Sequence, residues 1–196
     1  MIGTKKSARL VIAALFAVII SFAMSSPASA APTDAPVFLT GTVNSETAIA
    51  SVGWHNEVSV QRPLYQCLST QCNQGQAFPG NDLAEVCTVS SGGTTWGLVF
   101  NRANLHTGFI PISQLIYADP SQSCNSVGTG GRVDGAVALY QCPAAQCNQG
   151  QAFPGNDIGF ICYWGDGATY WLWALNHANG HEGFIPASNS LGLPAC

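Results

Sequence analysis

The sequence predicts an all-β protein made of two small, disulfide-stapled barrels in tandem. A repeat shows the tandem arrangement: residues 71–82 recur unchanged at 146–157, and the match continues without a gap to the Gly-Phe-Ile-Pro stretches at 108–111 and 183–186. Short apolar runs alternate with turn residues about every eight to twelve positions, which is typical of β-sandwiches and barrels. Eight cysteines, four in each copy, would form the disulfide bonds.

The first thirty residues have the pattern of an export signal. A basic start at 5–9 precedes an apolar stretch at 10–22 that is too short to span a bilayer. The small-x-small pattern at 28–30 predicts cleavage before Ala31, and it disfavours the alternative of an uncleaved anchor. We therefore expect a secreted, extracellular protein that leaves the membrane once residues 1–30 are removed.

Cleavage leaves few positive charges. The mature chain keeps three arginines (Arg62, Arg102 and Arg132) against ten acidic residues, so its formal charge is 3 − 10 = −7. Nucleic acid is excluded as a partner, because its phosphates require clustered Lys and Arg. Binding to anionic wall polymers by charge alone is disfavoured for the same reason.

The chain divides into five expected segments. These are the signal at 1–30, an N-terminal arm at 31–55, module one at 56–120, a Gly/Ser linker at 121–131 and module two at 132–196. Within module one, alternation and turn residues predict strands at 57–61, 83–89, 96–101 and 108–111, then a tight 3₁₀ turn at 113–116. Module two is expected to repeat this scheme.

The cysteines of an exported chain predict disulfides. Four per module allow three pairings, and the sequence leaves all three open. We favour Cys67–Cys72, Cys87–Cys124, Cys142–Cys147 and Cys162–Cys196, since short loops close at low entropic cost. A zinc site is the alternative, but the Cys-x4-Cys spacing is marginal and has no matching second pair. We expect no metal and no cofactor.

The motifs of the second copy resemble SH3-like barrels of the bacterial secreted and the eukaryotic signalling type. The resemblance covers nearly a whole domain: Ala138-Leu139-Tyr140 is similar to the opening Ala-Leu-Tyr, 170–173 to the aromatic central strand, and 183–189 to the Gly-Tyr-Ile-Pro-Ser-Asn ending. The first copy keeps Leu64-Tyr65, Trp96 and 108–111. The family implies a groove lined by aromatic residues that contacts peptides or glycans.

Carried over by position, that groove involves three residues in each copy: Tyr65, Trp96 and Pro111, and Tyr140, Trp171 and Pro186. Trp164, which has no aromatic counterpart in the first copy, is a further candidate if it is exposed. The alternative is that these aromatic residues fill cores. Proline-motif binding is not implied, because the cysteine loops replace the acidic tip of signalling SH3 domains.

No catalytic site is predicted. His106 and His181, like Asp82 and Asp157, occupy turns, where such residues usually shape the backbone. The repeated Asn-Gln-Gly-Gln segment, 73–76 in the first copy, is either a structural loop or an amide-rich patch for neutral ligands.

Together these features predict a secreted, non-catalytic binding protein. Its expected partner is cell-wall glycan or peptide, or an extracellular protein. The alternative is a secreted inhibitor of an extracellular hydrolase that presents a rigid loop such as 142–147.

Overall fold

The computed structural model describes residues 53–117, 122–165 and 169–196. The predicted export signal at 1–30, and the expected arm as far as residue 52, lie outside this range. The described chain forms two antiparallel sheets of six strands, one for each copy of the repeat. None of its described helices is long and apolar enough to cross a bilayer.

The first sheet lies within residues 54–111. Its strands are β1 (Trp54–Asn56), β2 (Arg62–Tyr65), β3 (Gln74–Ala77), β4 (Leu83–Ser91), β5 (Thr94–Asn101) and β6 (Thr107–Pro111). Their order in space is β1-β4-β5-β6-β2-β3, so β4 to β6 form a meander at the centre. The edge strands β1 and β3 do not pair in the described range, and the sheet remains open there.

The second sheet repeats this arrangement with the order β7-β10-β11-β12-β8-β9. Its strands are β7 (Thr129–Arg132), β8 (Val137–Tyr140), β9 (Gln149–Ala152), β10 (Asp157–Gly165), β11 (Tyr170–Asn176) and β12 (His181–Ala187). The β4–β5 ladder shifts register between Glu85 and Cys87, and the β10–β11 ladder shifts between Phe160 and Cys162. The two copies therefore share their irregularities as well as their strand order.

Steric contacts explain why each Gly-Phe-Ile-Pro motif begins with glycine. A Cβ on Gly108 would lie 2.7 Å from the carbonyl carbon of Leu64, and one on Gly183 would lie 2.7 Å from that of Leu139. Only glycine lets β6 and β12 approach β2 and β8 this closely.

Two expectations about secondary structure were wrong. Residues 57–61 are not a strand: Val58 is buried but Val60 is 49 % exposed, so the alternation fails where the chain bends towards β2. The expected linker at 121–131 instead contains a 3₁₀ turn (Cys124–Ser126) and the start of β7. Small residues allow this pairing, because a Cβ on Gly131 would lie 2.5 Å from the ring of Phe160 on β10.

The pairing of the cysteines is the one that the sequence favoured, and all eight are paired. The short bridges close the loops after β2 and β8, with Cα–Cα distances of 5.8 and 5.7 Å. The long bridges tie the chain that follows each sheet back to β4 and β10. Parallel bridges next to them, Thr88 with Ser123 and Tyr163 with Ala195, make the same connection through the backbone.

The described residues form three apolar cores. One belongs to the first sheet and includes Leu64, Leu83 and Ile110. A second belongs to the second sheet and is built around Ile158 and Leu172. The third is shared by both copies, and its buried members are Ala84, Val86, Cys87, Trp96, Leu98, Phe100, Phe109, Cys124, Val127, Tyr140, Ile161, Cys162, Trp173, Leu175 and Phe184. The two copies therefore share one core and are not independent domains joined by a linker.

Candidate functional site

The aromatic residues expected to form a groove do meet in each copy. The rings of Tyr65 and Trp96 lie edge to face at 5.8 Å, and Trp96 stands opposite Pro111 across β5 and β6. In the second copy, Tyr140 and Trp171 lie edge to face at 5.6 Å, and Trp171 stands opposite Pro186. The positions inherited from the resemblance are thus neighbours in space.

Burial limits what these residues can bind. Trp96 is 5 % exposed and Tyr140 is 4 % exposed, and both pack into the shared core. Tyr65 and Trp171 are half-buried. In each copy, one ring of the edge-to-face pair is therefore unavailable as a stacking surface. Trp164 is different, because 41 % of it is exposed.

Two glutamines join the copies through buried, reciprocal hydrogen bonds. The side-chain amide of Gln66 donates to the carbonyls of Leu139 and Glu182. Its equivalent, Gln141, donates to the carbonyls of Leu64 (2.6 Å) and Thr107 (3.1 Å). Each copy thus uses the same residue on the other, which is the signature of a two-fold interface.

The repeated Asn-Gln-Gly-Gln segments lie beside these glutamines. The amide of Asn73 donates to the carbonyl of Gln149 (3.0 Å), and that of Asn148 donates to the carbonyl of Gln74 (3.2 Å). The side-chain amides of both asparagines therefore connect the two copies. The finding favours a structural role for the segment over a ligand-binding amide patch.

Two half-buried histidines, His106 in the β5–β6 turn and His181 at the start of β12, also reach across the interface. A ring nitrogen of His106 lies within 4.8 Å of the sulfurs of Cys142 and Cys147, and His181 has the same relation to Cys67 and Cys72. Desolvation by burial lowers the pKa of both imidazoles. In each ring Nδ1 is buried and has no hydrogen-bond partner among the described residues.

In the described part of the chain, each copy has one buried acid that the other lacks: Glu85 in the first and Glu182 in the second. Glu182 occupies the position that Thr107 has in the first copy, and its Oε2 accepts a hydrogen bond from Nε1 of Trp173 at 2.8 Å. Desolvation raises the pKa of Glu182 to about 8, although hydrogen bonds from Thr107 and Trp173 oppose the shift. The side chain is fully buried, so it does not reach a ligand at the surface.

A charged cluster is found at the surface of the first copy. Asp82 accepts hydrogen bonds from Nδ1 of His55 (2.8 Å) and from Arg102 (3.0 Å). The bond to Asp82 raises the pKa of His55. Partial burial works to raise the pKa of Asp82, but the bonds from His55 and Arg102 outweigh it and lower that pKa. The cluster connects β1 to the turn before β4 and to the β5–β6 turn.

Among the large apolar side chains that are exposed in the described residues, a phenylalanine in the turn before β4 and before β10 is the one found at equivalent positions of both copies. Phe78 is 41 % exposed and Phe153 is 48 % exposed. Each ring belongs to an identical Phe-Pro-Gly-Asn turn. Sequence reasoning did not select these residues; the signal available was a large apolar side chain retained in both copies of a turn that is otherwise polar.

Hydrogen bonds hold each of these turns. The N–H of Phe78 donates to Oδ1 of Asn81 (3.0 Å), and the N–H of Asn81 donates back to the carbonyl of Phe78 (3.0 Å). The buried amide of Asn101 also donates to Oδ1 of Asn81 (2.8 Å). Phe153 and Asn156 repeat this pattern, so both rings project from a fixed backbone.

A groove of about 390 Å³ lies between the copies. Leu68 and Val89 line one side, and the β11–β12 turn lines the other. The amides of that turn are already engaged, since Asn176 donates to Asn156 and Asn179 donates to the carbonyl of Gln151. Ser91, Asn125 and His177 also line the groove, so its lining is both polar and apolar.

Comparisons with known proteins add no relative, since no protein-family model, curated protein or solved structure matches the chain.

Proposed function

We propose that this is a secreted, non-catalytic binding protein, whose two fused SH3-like copies present a pair of identical phenylalanine turns to an extracellular protein. The observation that supports the proposal is the exposure of Phe78 and Phe153 on turns of equal sequence and equal hydrogen bonding.

Residues 71–82 and 146–157 are identical, and different residues within them need different explanations. Contacts between the copies explain Asn73 and its equivalent, because the amides bond across the interface. They do not explain the phenylalanines, which are solvent-exposed. Neither phenylalanine belongs to the three apolar cores, and aromatic side chains are typical anchors in protein interfaces.

The fixed backbone of each turn suits this role. A side chain held on a hydrogen-bonded turn loses less conformational freedom on binding than one on a flexible loop. Because the copies share a core, the spacing of the two rings is also fixed. A partner that engages both would gain from the high effective concentration of the second site.

A protein partner fits better than wall glycan. Glycans stack on open aromatic platforms, and burial of Trp96 and Tyr140 removes one ring of each edge-to-face pair from the surface. The low positive charge also gives anionic wall polymers little to bind. The proposal of secretion is supported by four disulfides, which persist in oxidising compartments.

The SH3-like assignment of the copies remains part of the proposal. It is supported by the β4-β5-β6 meander, by the pairing of Tyr65 on β2 with Phe109 on β6, and by the 3₁₀ turn (Ile112–Gln114) that follows Gly-Phe-Ile-Pro.

The test uses the mature protein as bait in a culture secretome, followed by affinity measurement with the captured partner. We expect Phe78→Ala and Phe153→Ala each to weaken binding at least tenfold, about 1.4 kcal/mol, and the double variant to weaken it further. Val60→Ala, an exposed apolar residue outside the turns, is the matched control and should bind normally. Undiminished binding by the double variant, or no captured partner, would contradict the proposal.

A hydrolase inhibitor is the second candidate, favoured by the rigidity of the same turns. The loop first expected to act, 142–147, is less suitable because its disulfide lies against His106 of the other copy. Stoichiometric inhibition of a protease or glycosidase that Phe78→Ala relieves would identify the partner as an enzyme. No inhibition across a panel would remove this candidate.

A further inference from the structure

Two clusters of two sulfurs and one imidazole lie between the copies. One contains Cys67, Cys72 and His181, with all ligand atoms within 4.8 Å of one another. The other is the two-fold equivalent and contains His106, Cys142 and Cys147. In the sequence, each Cys-x4-Cys pair lacks a further metal-ligand partner, and the fold supplies one from the opposite copy.

We propose that reduction of the two short disulfides converts each cluster into a zinc site that bridges the copies. Two thiolates and an imidazole are a ligand set that zinc prefers, and a water molecule would complete the tetrahedron. Zn–S and Zn–N bonds of about 2.3 and 2.0 Å place tetrahedral ligands about 3.5 Å apart. The two sulfurs of each bridge must therefore separate after reduction, whereas an imidazole nitrogen already lies within 4.8 Å of both.

The imidazoles are suited to this role because they have unused bonding capacity. Nδ1 of His106 and of His181 is buried, yet it has no hydrogen-bond partner in the described part of the chain. Gly75 and Gly150 make room for the rings: a Cβ at either glycine would lie 2.6 Å from Nδ1. The same unpartnered arrangement therefore occurs twice.

The difference in burial between the short and the long bridges favours selective reduction of the short ones. All four cysteines of the short bridges are partly exposed to solvent. Each long bridge includes at least one fully buried cysteine: Cys87 and Cys162 are both 0 % exposed. A soluble dithiol should therefore open the short bridges first.

The chemistry balances with that dithiol as reductant. It transfers two electrons to each short disulfide, which becomes two cysteine thiols, and it is itself oxidised to a cyclic disulfide. Zinc binding then releases two protons for each site, one from each thiol, while the imidazole enters as a neutral ligand.

The experiment starts from the oxidised, folded mature protein. A mild dithiol is applied without denaturant, and alkylation with mass spectrometry identifies the opened bridges. After removal of the dithiol, Zn²⁺ is titrated against a colorimetric chelator. We expect two zinc ions per chain after reduction of the short bridges, and none in the oxidised protein.

Variants separate a built site from free thiols. His181→Gln and His106→Gln should each weaken one of the two sites by more than about 100-fold, which exceeds the roughly 10–100-fold loss typical of a change beyond the ligands. His177→Gln is the control. His177 lies in the β11–β12 turn, outside both clusters, and its replacement should leave both sites intact. The circular dichroism spectrum of each oxidised variant verifies folding.

Three results would overturn the proposal. The first is a stoichiometry below one zinc per chain in the selectively reduced protein. The second is zinc affinity that does not change in the His106→Gln/His181→Gln double variant. The third is unfolding of the protein as soon as the short bridges open, since the sites require a folded, reduced state.

Discussion

At the scale of single residues, buried polar side chains define how the copies meet. The amides of Gln66 and Gln141 each satisfy two backbone carbonyls of the opposite copy inside the interface. A buried carbonyl without a partner costs about 1–3 kcal/mol, so an interface that slips by one residue is strongly disfavoured. Glu182 lies among these groups, and it makes stability depend on pH.

Glu182→Gln should flatten that dependence. Burial raises the pKa of Glu182 from 4.5 to about 8, so between these values the folded state binds the proton more tightly than the unfolded state. The free energy of unfolding should therefore fall as pH rises from about 4.5 to about 8, by at most about 1.4 kcal/mol per pH unit. Denaturant titrations at several pH values measure it.

The difference between wild type and variant isolates Glu182. His106 and His181 act in the opposite sense: their lowered pKa adds stability above 6.5 that is lost as pH falls, and both proteins retain them. Asp134→Asn, at an exposed carboxylate, is the matched control and should follow wild type. Parallel curves for wild type and Glu182→Gln would contradict the assignment.

At the scale of elements, disulfides and turns complete sheets that are individually small. The long bridges attach the chain after each sheet to a central strand, whereas the short ones close a loop between neighbouring strands. Their sequence separations differ widely, 37 residues for Cys87–Cys124 and 5 for Cys67–Cys72. Loop entropy should therefore rank their contributions.

Removal of each bridge tests this ranking. Chain entropy predicts a loss of about 4 kcal/mol for Cys87→Ala/Cys124→Ala and about 2 kcal/mol for Cys67→Ala/Cys72→Ala. Lost packing should widen the gap, because Cys87 and Cys124 are buried in the shared core. Chemical denaturation of both variants measures the difference, and equal losses would rule out the entropic explanation.

At the scale of the whole molecule, the shared core is the dominant feature. The rings of Phe100 from one copy and of Trp173 and Phe184 from the other lie within 5.8–6.4 Å of one another at its centre. A copy by itself would expose this surface to water, so neither sheet is expected to be stable alone.

We therefore expect one cooperative unfolding transition, not two. Trp173→Ala should destabilise the entire molecule by about 3–5 kcal/mol, because it removes a fully buried ring from the joint between the copies. Differential scanning calorimetry measures this, with Trp164→Ala at an exposed position as the control. Two transitions, one of them unchanged in Trp173→Ala, would show that the copies fold independently.

The sequence by itself determined the features that depend on local pattern. Strands at 83–89, 96–101 and 108–111, the all-β class, the duplication and the favoured cysteine pairing follow from alternation, turn residues and spacing, and the structure agrees with each. The grouping of Tyr65, Trp96 and Pro111 came from the resemblance to SH3-like barrels; in the structure, Tyr65 contacts Trp96 and Trp96 stands opposite Pro111.

Only the tertiary structure decided how the two copies contact each other. The sequence could not show that Trp96 and Tyr140 would be covered, that Gln66 would bond across to the second copy, or that His181 would lie on the disulfide of the first. These contacts join residues far apart in the chain, and their geometry depends on how two finished sheets pack. A repeat predicts two equal units, but the choice of a shared core over a linker is a property of the assembled surfaces.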